Sequence, residues 1–174
     1  MAGQVTYQPT EADYVAANRA GFRASLRRWR TLRSWLISII VCAAIGVFAA
    51  YEDEWQDTPW MIASITGWGL IAIPICWGLS YVLIPSRAKR LFRQQKTLHA
   101  PFTYGWSDAG LSYQSKAGTG QIDWSDFHGW AHGARTYLFY FNDNLFHFIP
   151  MRVMTEDQRA DLEAVVTSHG LSKR

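Results

Sequence analysis

The sequence predicts an α+β membrane protein: a two-helix transmembrane hairpin carrying an antiparallel β domain that a C-terminal helix caps. Three observations carry that expectation. Two long runs, Ser34 to Ala50 and Trp60 to Ile84, contain no charged residue. Arginines crowd both outer flanks of the pair, whereas the short connection between them is acidic. From about Thr97 the apolar residues switch from helical spacing to the alternation of strands, and a helix-start signal follows Pro150.

The first element, residues 1–33, reads as a short strand and a basic helix. Gln4–Gln8 alternates like a strand. Thr10 then stands as a helix N-cap with Glu11 and Asp13 in the first turn, and the helix is expected to continue to the first span. Phe22, Leu26 and Trp29 share one face, beside a stripe of Arg23, Arg27 and Arg30. A basic amphipathic helix next to a bilayer favours anionic headgroups, with about 1 kcal/mol from each arginine near the surface. The candidate membrane-surface residues are Arg19, Arg23, Arg27, Arg28, Arg30 and Arg33, with Arg87, Lys89, Arg90 and Arg93 beyond the second span. The plainer reading is that these cations only set topology, and the two readings are compatible.

The hairpin, residues 34–86, is expected to have spans at 34–51 and 60–84 and a periplasmic loop at 52–59. Ser34–Ala50 reaches about 25 Å as a helix, near the short limit for crossing. The second run is longer and can tilt, and Pro74 with its nearby glycines should bend it. Trp35, Trp55, Trp60 and Tyr81 are candidate interface anchors, because indole and phenol rings favour the boundary between lipid and water. A cleaved leader is the competing reading of the first run. The basic stretch before it is too long, and Phe48 would occupy a position that needs a small residue. The connection holds Glu52, Asp53, Glu54 and Asp57 and no basic residue, so the positive-inside rule puts both termini in the cytoplasm.

Small residues recur every fourth position down the first span at Ser38, Cys42, Gly46 and Ala50, and Ala63 and Gly67 repeat the spacing in the second. Such spacing lets helix backbones approach closely. It serves either the hairpin itself or a docking face for a partner's helix. Cys42 and Cys76 both lie in apolar runs, which leaves no disulfide framework and no CxxC metal site.

Residues 97–174 are read as a cytoplasmic domain. Its expected strands are Phe102–Trp106, Gly110–Ser115, Gly120–Trp124, Phe127–His132, Thr136–Phe141 and Leu145–Ile149, separated by Ser, Asp, Gly and Asn turns. Thr155-Glu156-Asp157-Gln158 opens a helix whose apolar side is Leu162, Val165 and Val166. Consecutive short strands followed by one helix suggest a curled sheet or open barrel.

Several pieces of this region carry a family likeness: Gly110-Leu111-Ser112, then Ile122-Asp123-Trp124-Ser125-Asp126-Phe127, and Ile149-Pro150 with Arg152 before the helix. With a Tyr-containing basic N-terminus and two spans ahead of them, the chain resembles the bacterial YcxB-like protein family. The resemblance implies a pleckstrin-homology-like domain on a membrane hairpin in the bacterial inner membrane, and it implies no catalytic residues. A pleckstrin-like sheet has seven strands where six are counted, so Gln4–Gln8 is the candidate seventh.

No reaction centre stands out. His128 and His132 in an extended strand lie roughly 13 Å apart, too far for one ion, so no metal and no cofactor are expected. Ser107, Ser112 and Ser125 lack a G-x-S-x-G elbow. Gly118 and Gly120 read as a hairpin turn rather than a phosphate loop, and turn capping accounts for Asp123 and Asp126. Trp124, Trp130, Tyr137, Phe139, Phe141, Phe146 and Phe148 read mainly as core. The basic run abuts an apolar span and has no nucleic-acid-reading motif, so nucleic acid is not an expected partner. These signs point to a non-enzymatic interaction module that binds a protein partner or lipid headgroups through its cytoplasmic domain. The alternative is an accessory subunit of a membrane complex, or an immunity-type protein, acting through its transmembrane face. An enzyme acting on lipid is the weakest reading.

Overall fold

The computed structural model describes residues 3–52 and 58–173. Trp55 and the side chains of Arg30 and Ala50, all singled out above, lie outside the described residues, as does most of the acidic connection. The chain forms two compact units, Met1–Ser25 with Ile84–Arg174, and Leu26–Leu83. The fold is α+β, with antiparallel sheets, two long apolar helices and a C-terminal helix.

The first unit holds two sheets. β1 (Gly3–Tyr7), β2 (Phe102–Ser107), β3 (Gly110–Ser115) and β4 (Gly118–Ile122) pair in that order, all antiparallel. β5 (Gly129–His132), β6 (Thr136–Tyr140) and β7 (Phe146–Pro150) form the second sheet. The alternating Gln4–Gln8 segment thus supplies β1, one residue earlier than its sequence limits, with Gly3 opposite Trp106 and Tyr7 opposite Phe102. A Cβ at Gly3 would meet the Trp106 ring at 2.2 Å, so the close approach of these partners needs glycine there.

Two sequence expectations for strands shift by more than one residue. β4 ends at Ile122, because Trp124–Asp126 turns into a 3-10 segment that buries the Trp124 ring. The Trp124 Nε1–H donates to the Ser107 carbonyl at 2.8 Å, a bond an extended strand would not place there. Asp123 precedes this turn without a side-chain capping bond, so backbone hydrogen bonding and not a carboxylate cap defines it. β5 accordingly starts only at Gly129.

All five residues of β6 are buried, on both faces of the strand. Tyr137 donates to Glu163 of α4 (Glu156–Ser168) at 2.7 Å, and on the same side the Phe139 ring lies tilted against Trp124, 6.1 Å between centroids. On the other side stands α1 (Glu11–Leu26): a Cβ at Gly21 would lie 3.3 Å from the Phe146 ring and 3.8 Å from the Tyr140 hydroxyl. Burial on both faces explains why this strand reads as a continuous aromatic run. α4 begins with a reciprocal capping box between Thr155 and Gln158 and buries Leu162, Val165 and Val166, as its sequence implies. The Trp106 indole donates to Asp161 at 2.8 Å, which ties β2 to the same helix.

α1 departs from expectation twice. It stops at Leu26 instead of continuing, and α2 (Trp29–Glu52) starts after a two-residue break that contains neither Gly nor Pro. Its buried stripe is Asp13, Ala17 and Ala24, while Trp29 is 69% exposed in the next helix. Alanines let α1 approach the strands more closely than a Phe22 and Leu26 face would.

The second unit comprises α2 and the part of α3 (Thr58–Gln94) up to Leu83. α3 is helical without interruption through Pro74 and Pro85 and ten residues past Ile84. Both helices are long and apolar enough to cross a membrane, over Thr31–Ala49 and Ile62–Gln94. The most apolar stretch of each helix is almost entirely exposed, with 6% of it buried in the first and 0% in the second.

Candidate functional site

Within the second unit, the small residues of α2 pack on α3. A Cβ at Gly46 would lie 3.1 Å from the Ile62 Cα, and one at Gly69 would lie 3.0 Å from the Cys42 Sγ. Cys42 and Gly46 of the stripe therefore serve the hairpin, while the Ser38 hydroxyl donates to the Ser34 carbonyl of its own helix at 3.0 Å. Ala63 is exposed and Gly67 has no neighbour within 4 Å, so neither packs within the hairpin. Ile62 and Gly69 define the packed face, and a one-residue step turns a helical side chain by about 100° away from it. Of the proposed anchors, Trp60 is 79% exposed, whereas Trp35 and Tyr81 are half-buried and the Trp35 ring lies 6.3 Å from that of Trp77.

The candidate surface cations divide between the units. Arg27, Arg28 and Arg33 belong to the second, with Arg28 half-buried and the other two exposed. Arg19, Arg23, Arg87, Lys89, Arg90 and Arg93 belong to the first, where all but Arg19 are exposed. Arg93 binds Glu11 at 2.8 Å, and both partners are open enough to water that solvent screens the pair.

The strongest polar constellation in the first unit centres on Asp13, which is only 7% exposed. It closes the first turn of α1 by accepting from the Thr10 N–H at 3.0 Å and the Thr10 hydroxyl at 2.8 Å. Arg152, in the 3-10 turn after β7, donates from Nε to Oδ1 at 2.9 Å and from Nη2 to Oδ2 at 2.6 Å. The same Nη2 also reaches the Gln8 carbonyl at 3.1 Å, so one guanidinium joins the end of β1, the start of α1 and the approach to α4. Burial alone would raise the Asp13 carboxyl, but the hydrogen bonds from Arg152 and Thr10 outweigh it and hold the group below the usual carboxylate range. Sequence reasoning had Asp13 as a first-turn acid and Arg152 as part of a motif. It had no signal that they meet.

Two concavities with shared walls lie in this unit, and the first touches this pair. One, of about 410 Å³, is lined by Asp13, Arg135, Arg152 and Arg159 among others. Arg159 binds Glu156 at 2.6 Å and the Met151 carbonyl at 2.7 Å. The other, of about 500 Å³, shares Ala12, Ala16, Ala134 and Arg135 with the first and adds Arg19, Arg23, Pro85 and Lys89. A third, of about 580 Å³, lies on the four-stranded sheet and is lined by uncharged residues, Thr103, Ser112 and Gln114 among them.

A second polar pair joins the sheets. The Tyr104 hydroxyl lies 2.6 Å from the His147 Nδ1. Burial lowers the His147 pKa, and burial followed by the neighbouring Tyr113 raises that of Tyr104. Both shifts favour a neutral imidazole accepting from the phenol.

The residues screened for chemistry sit in structural roles. Ser107 accepts from the Ala109 N–H, and Ser112 donates to the Gly105 carbonyl. His128 and His132 are exposed on an extended segment, and no group of three metal-ligating side chains occurs among the described residues. Trp124, Trp130, Tyr137, Phe139 and Phe148 are buried core, while Phe141 and Phe146 are half-buried.

The segment from Trp106 in β2 to Val166 in α4 matches a known family. Residues 106–166 match the YcxB-like protein family. This is the family that the sequence motifs resemble. No curated protein matches the chain. The YcxB-like match takes in Arg135, His147, Arg152 and Arg159 but not β1, α1 or the two long helices. Asp13, Arg19, Arg23 and Lys89 therefore come to the site from outside the YcxB-like segment.

Proposed function

We propose that the chain is a membrane-anchored binding module with no catalytic activity of its own. In this reading α2 and α3 cross the bacterial inner membrane as a hairpin with both termini cytoplasmic. The other unit is a pleckstrin-homology-like domain that meets its partner, a protein or a lipid headgroup, at the membrane surface. The β1–β2 ladder is the observation that carries it. One strand precedes the apolar helices and its neighbour follows them, so the chain must return to the side it left. Two crossings satisfy that requirement, and the arginine-rich flanks of an acidic connection agree with N-in and C-in orientation. Four strands plus three, closed by a C-terminal helix, support the pleckstrin-like assignment. Cys42 and Gly46 of the small-residue stripe face α3, which favours the cytoplasmic domain over the transmembrane face as the working surface.

Thiol labelling in intact cells tests this reading. With Cys42 and Cys76 replaced by serine, Gln56→Cys should react with an impermeant maleimide, while Ala109→Cys and Ser172→Cys should react only after the membrane is permeabilised. Labelling of either of the last two in intact cells would overturn the orientation and the module with it.

A further inference from the structure

We infer that β4 is a self-association edge, where two copies of the chain pair antiparallel about a two-fold axis at Gly120 and join their four-stranded sheets into one. The inference goes beyond the proposed binding role and starts from the edges of the two sheets. A strand at a sheet edge presents a row of N–H and C=O groups that lack a neighbouring strand. Three of the four edges here engage another segment. Gln158 of α4 donates to the Gln4 carbonyl of β1 at 3.2 Å, and the Tyr7 hydroxyl donates to the Phe148 carbonyl of β7. On β5 the Trp130 N–H donates to the Ser172 carbonyl at 3.0 Å, and Trp130 bridges Lys173. β4 differs: among the described residues, no hydrogen bond joins Gly118–Ile122 to anything but the β2–β3 hairpin.

Open edges normally carry a device that keeps other strands away, such as a charge, a proline or a bulge. β4 reads Gly-Thr-Gly-Gln-Ile, with neither charge nor proline, and its register with β3 runs residue for residue from Gly118 to Ile122. Gly118, Thr119 and Gln121 are exposed. The edge is therefore open to a strand, and its own sequence identifies which one.

In an antiparallel pair about a two-fold axis, residues before the axis face residues after it. Centred on Gly120, the axis places Thr119 opposite Gln121 of the second copy, and Gly118 opposite Ile122. At the axis itself there is no side chain to collide with its own copy. The space beside Gly120 belongs to Tyr113, whose ring a Cβ there would meet at 2.7 Å. The outer face also continues across the axis. One row on it runs from Gln4 through Gly105 and Ser112 to Gln121, and the next from Thr6 through Thr103 and Gln114 to Thr119. Pairing joins the first row of one copy to the second row of the other, and both are uncharged, so no like charges meet. The charges lie beyond the strand ends and are complementary. Lys116 precedes β4 and Asp123 follows it; both are exposed, and neither has an ion-pair partner among the described residues. They stand about 17 Å apart, at opposite ends of their own strand. Antiparallel pairing brings Lys116 of each copy to Asp123 of the other, twice by symmetry. Five residues from each copy make a contact well below the ~1,000 Å² of a lasting interface, so pairing is reversible and grows with chain concentration.

The test uses the full chain in mild detergent with Cys42 and Cys76 replaced by serine. Thr119→Cys and Gln121→Cys chains, distinguished by a size tag, are mixed and mildly oxidised. Directly opposed strand residues lie about 4.5–5.5 Å apart at Cα, within disulfide reach, so the mixed disulfide should be the main product. Thr6→Cys, on the same face at the far side of the sheet, should not couple with Gln121→Cys. Hydrogen exchange of the β4 amides should slow as the concentration of the chain rises. Lys116→Glu should raise the concentration of half-protection about tenfold, since two exposed pairs turn repulsive. Adding Asp123→Lys should restore it to within about threefold of the starting value. Unchanged melting of each variant separates these readouts from loss of the fold. Absence of the mixed disulfide, or an equal yield from Thr6→Cys, would overturn the pairing. A higher yield of the Thr119→Cys homodisulfide would move the axis away from Gly120 and overturn the register. Exchange that is slow in cell membranes but fast in the purified chain at every concentration would assign the edge to a different protein's strand and overturn self-association.

Discussion

Replacing Asp13 should unlock the N-terminal segment from the rest of its unit, and the structure sets the size of the effect. Asp13→Ala removes the acceptor for the Thr10 N–H and hydroxyl, a capping loss of about 1 kcal/mol. It also removes the hydrogen bonds from Arg152. Charge-assisted bonds of that kind contribute about 1.5–3 kcal/mol when well shielded. Arg152 is 50% exposed on its side chain and can turn back to water, so the lower end applies. The expected total is about 2–3 kcal/mol for Asp13→Ala, and about 1–2 kcal/mol for Asp13→Asn, whose amide still caps. Urea unfolding of the full chain in mild detergent, followed by near-UV circular dichroism of the buried tryptophans, reads it. A double-mutant cycle with Arg152→Gln should give a coupling of about 1–2 kcal/mol. The pH dependence has a definite sign. The folded carboxyl has the lower pKa, so its contribution is complete above the unfolded value of about 3.9 and is lost as pH falls through the folded value. Coupling below about 0.5 kcal/mol, the scatter of independent sites, would refute the lock.

Two further predictions concern other parts of the chain. Burial lowers the His147 pKa, so the unfolded state binds the proton more readily and stability should fall as pH drops below about 6.5. The urea midpoint at pH 7.5 and 5.5 checks this: His147→Gln should flatten the difference, and an unchanged slope would assign it to another group. In the hairpin, Gly69→Cys, with Cys76 replaced by serine, should form an intramolecular disulfide with Cys42 under mild oxidation. Its Cβ would lie 3.4 Å from that of Cys42, within reach of disulfide geometry, whereas Gly67→Cys should stay reduced on a non-reducing gel.

The kind and order of the elements were the most legible features of this sequence, because strong local signals mark them. The uncharged runs, the alternation of β2 and β3 and the Thr155–Gln158 box all act within a few residues, and each appears where its pattern places it. The errors arise where packing overrides pattern. Trp124 leaves the strand alternation to bury its ring and reach Ser107, and α1 buries alanines although Phe22 and Leu26 looked the better face. The break after Leu26 has no sequence signal, since neither Gly nor Pro marks it.

The candidate site was less legible for a different physical reason: its parts are scattered. Arg19, Arg23 and Lys89 read as topology-setting charges beside apolar runs, a role that asks nothing of their mutual geometry. Arg135 stood in a turn with no pattern to distinguish it. What joins them is the β1–β2 ladder, which returns the chain to its starting unit after the hairpin and lets the ends of α1 and α3 share one surface with the β5–β6 connection. That ladder depends on a five-residue strand whose only local sign was alternation at Gln4–Gln8. A site of this kind is a property of sheet topology, so neither the flanking charges nor the YcxB-like segment contains it alone.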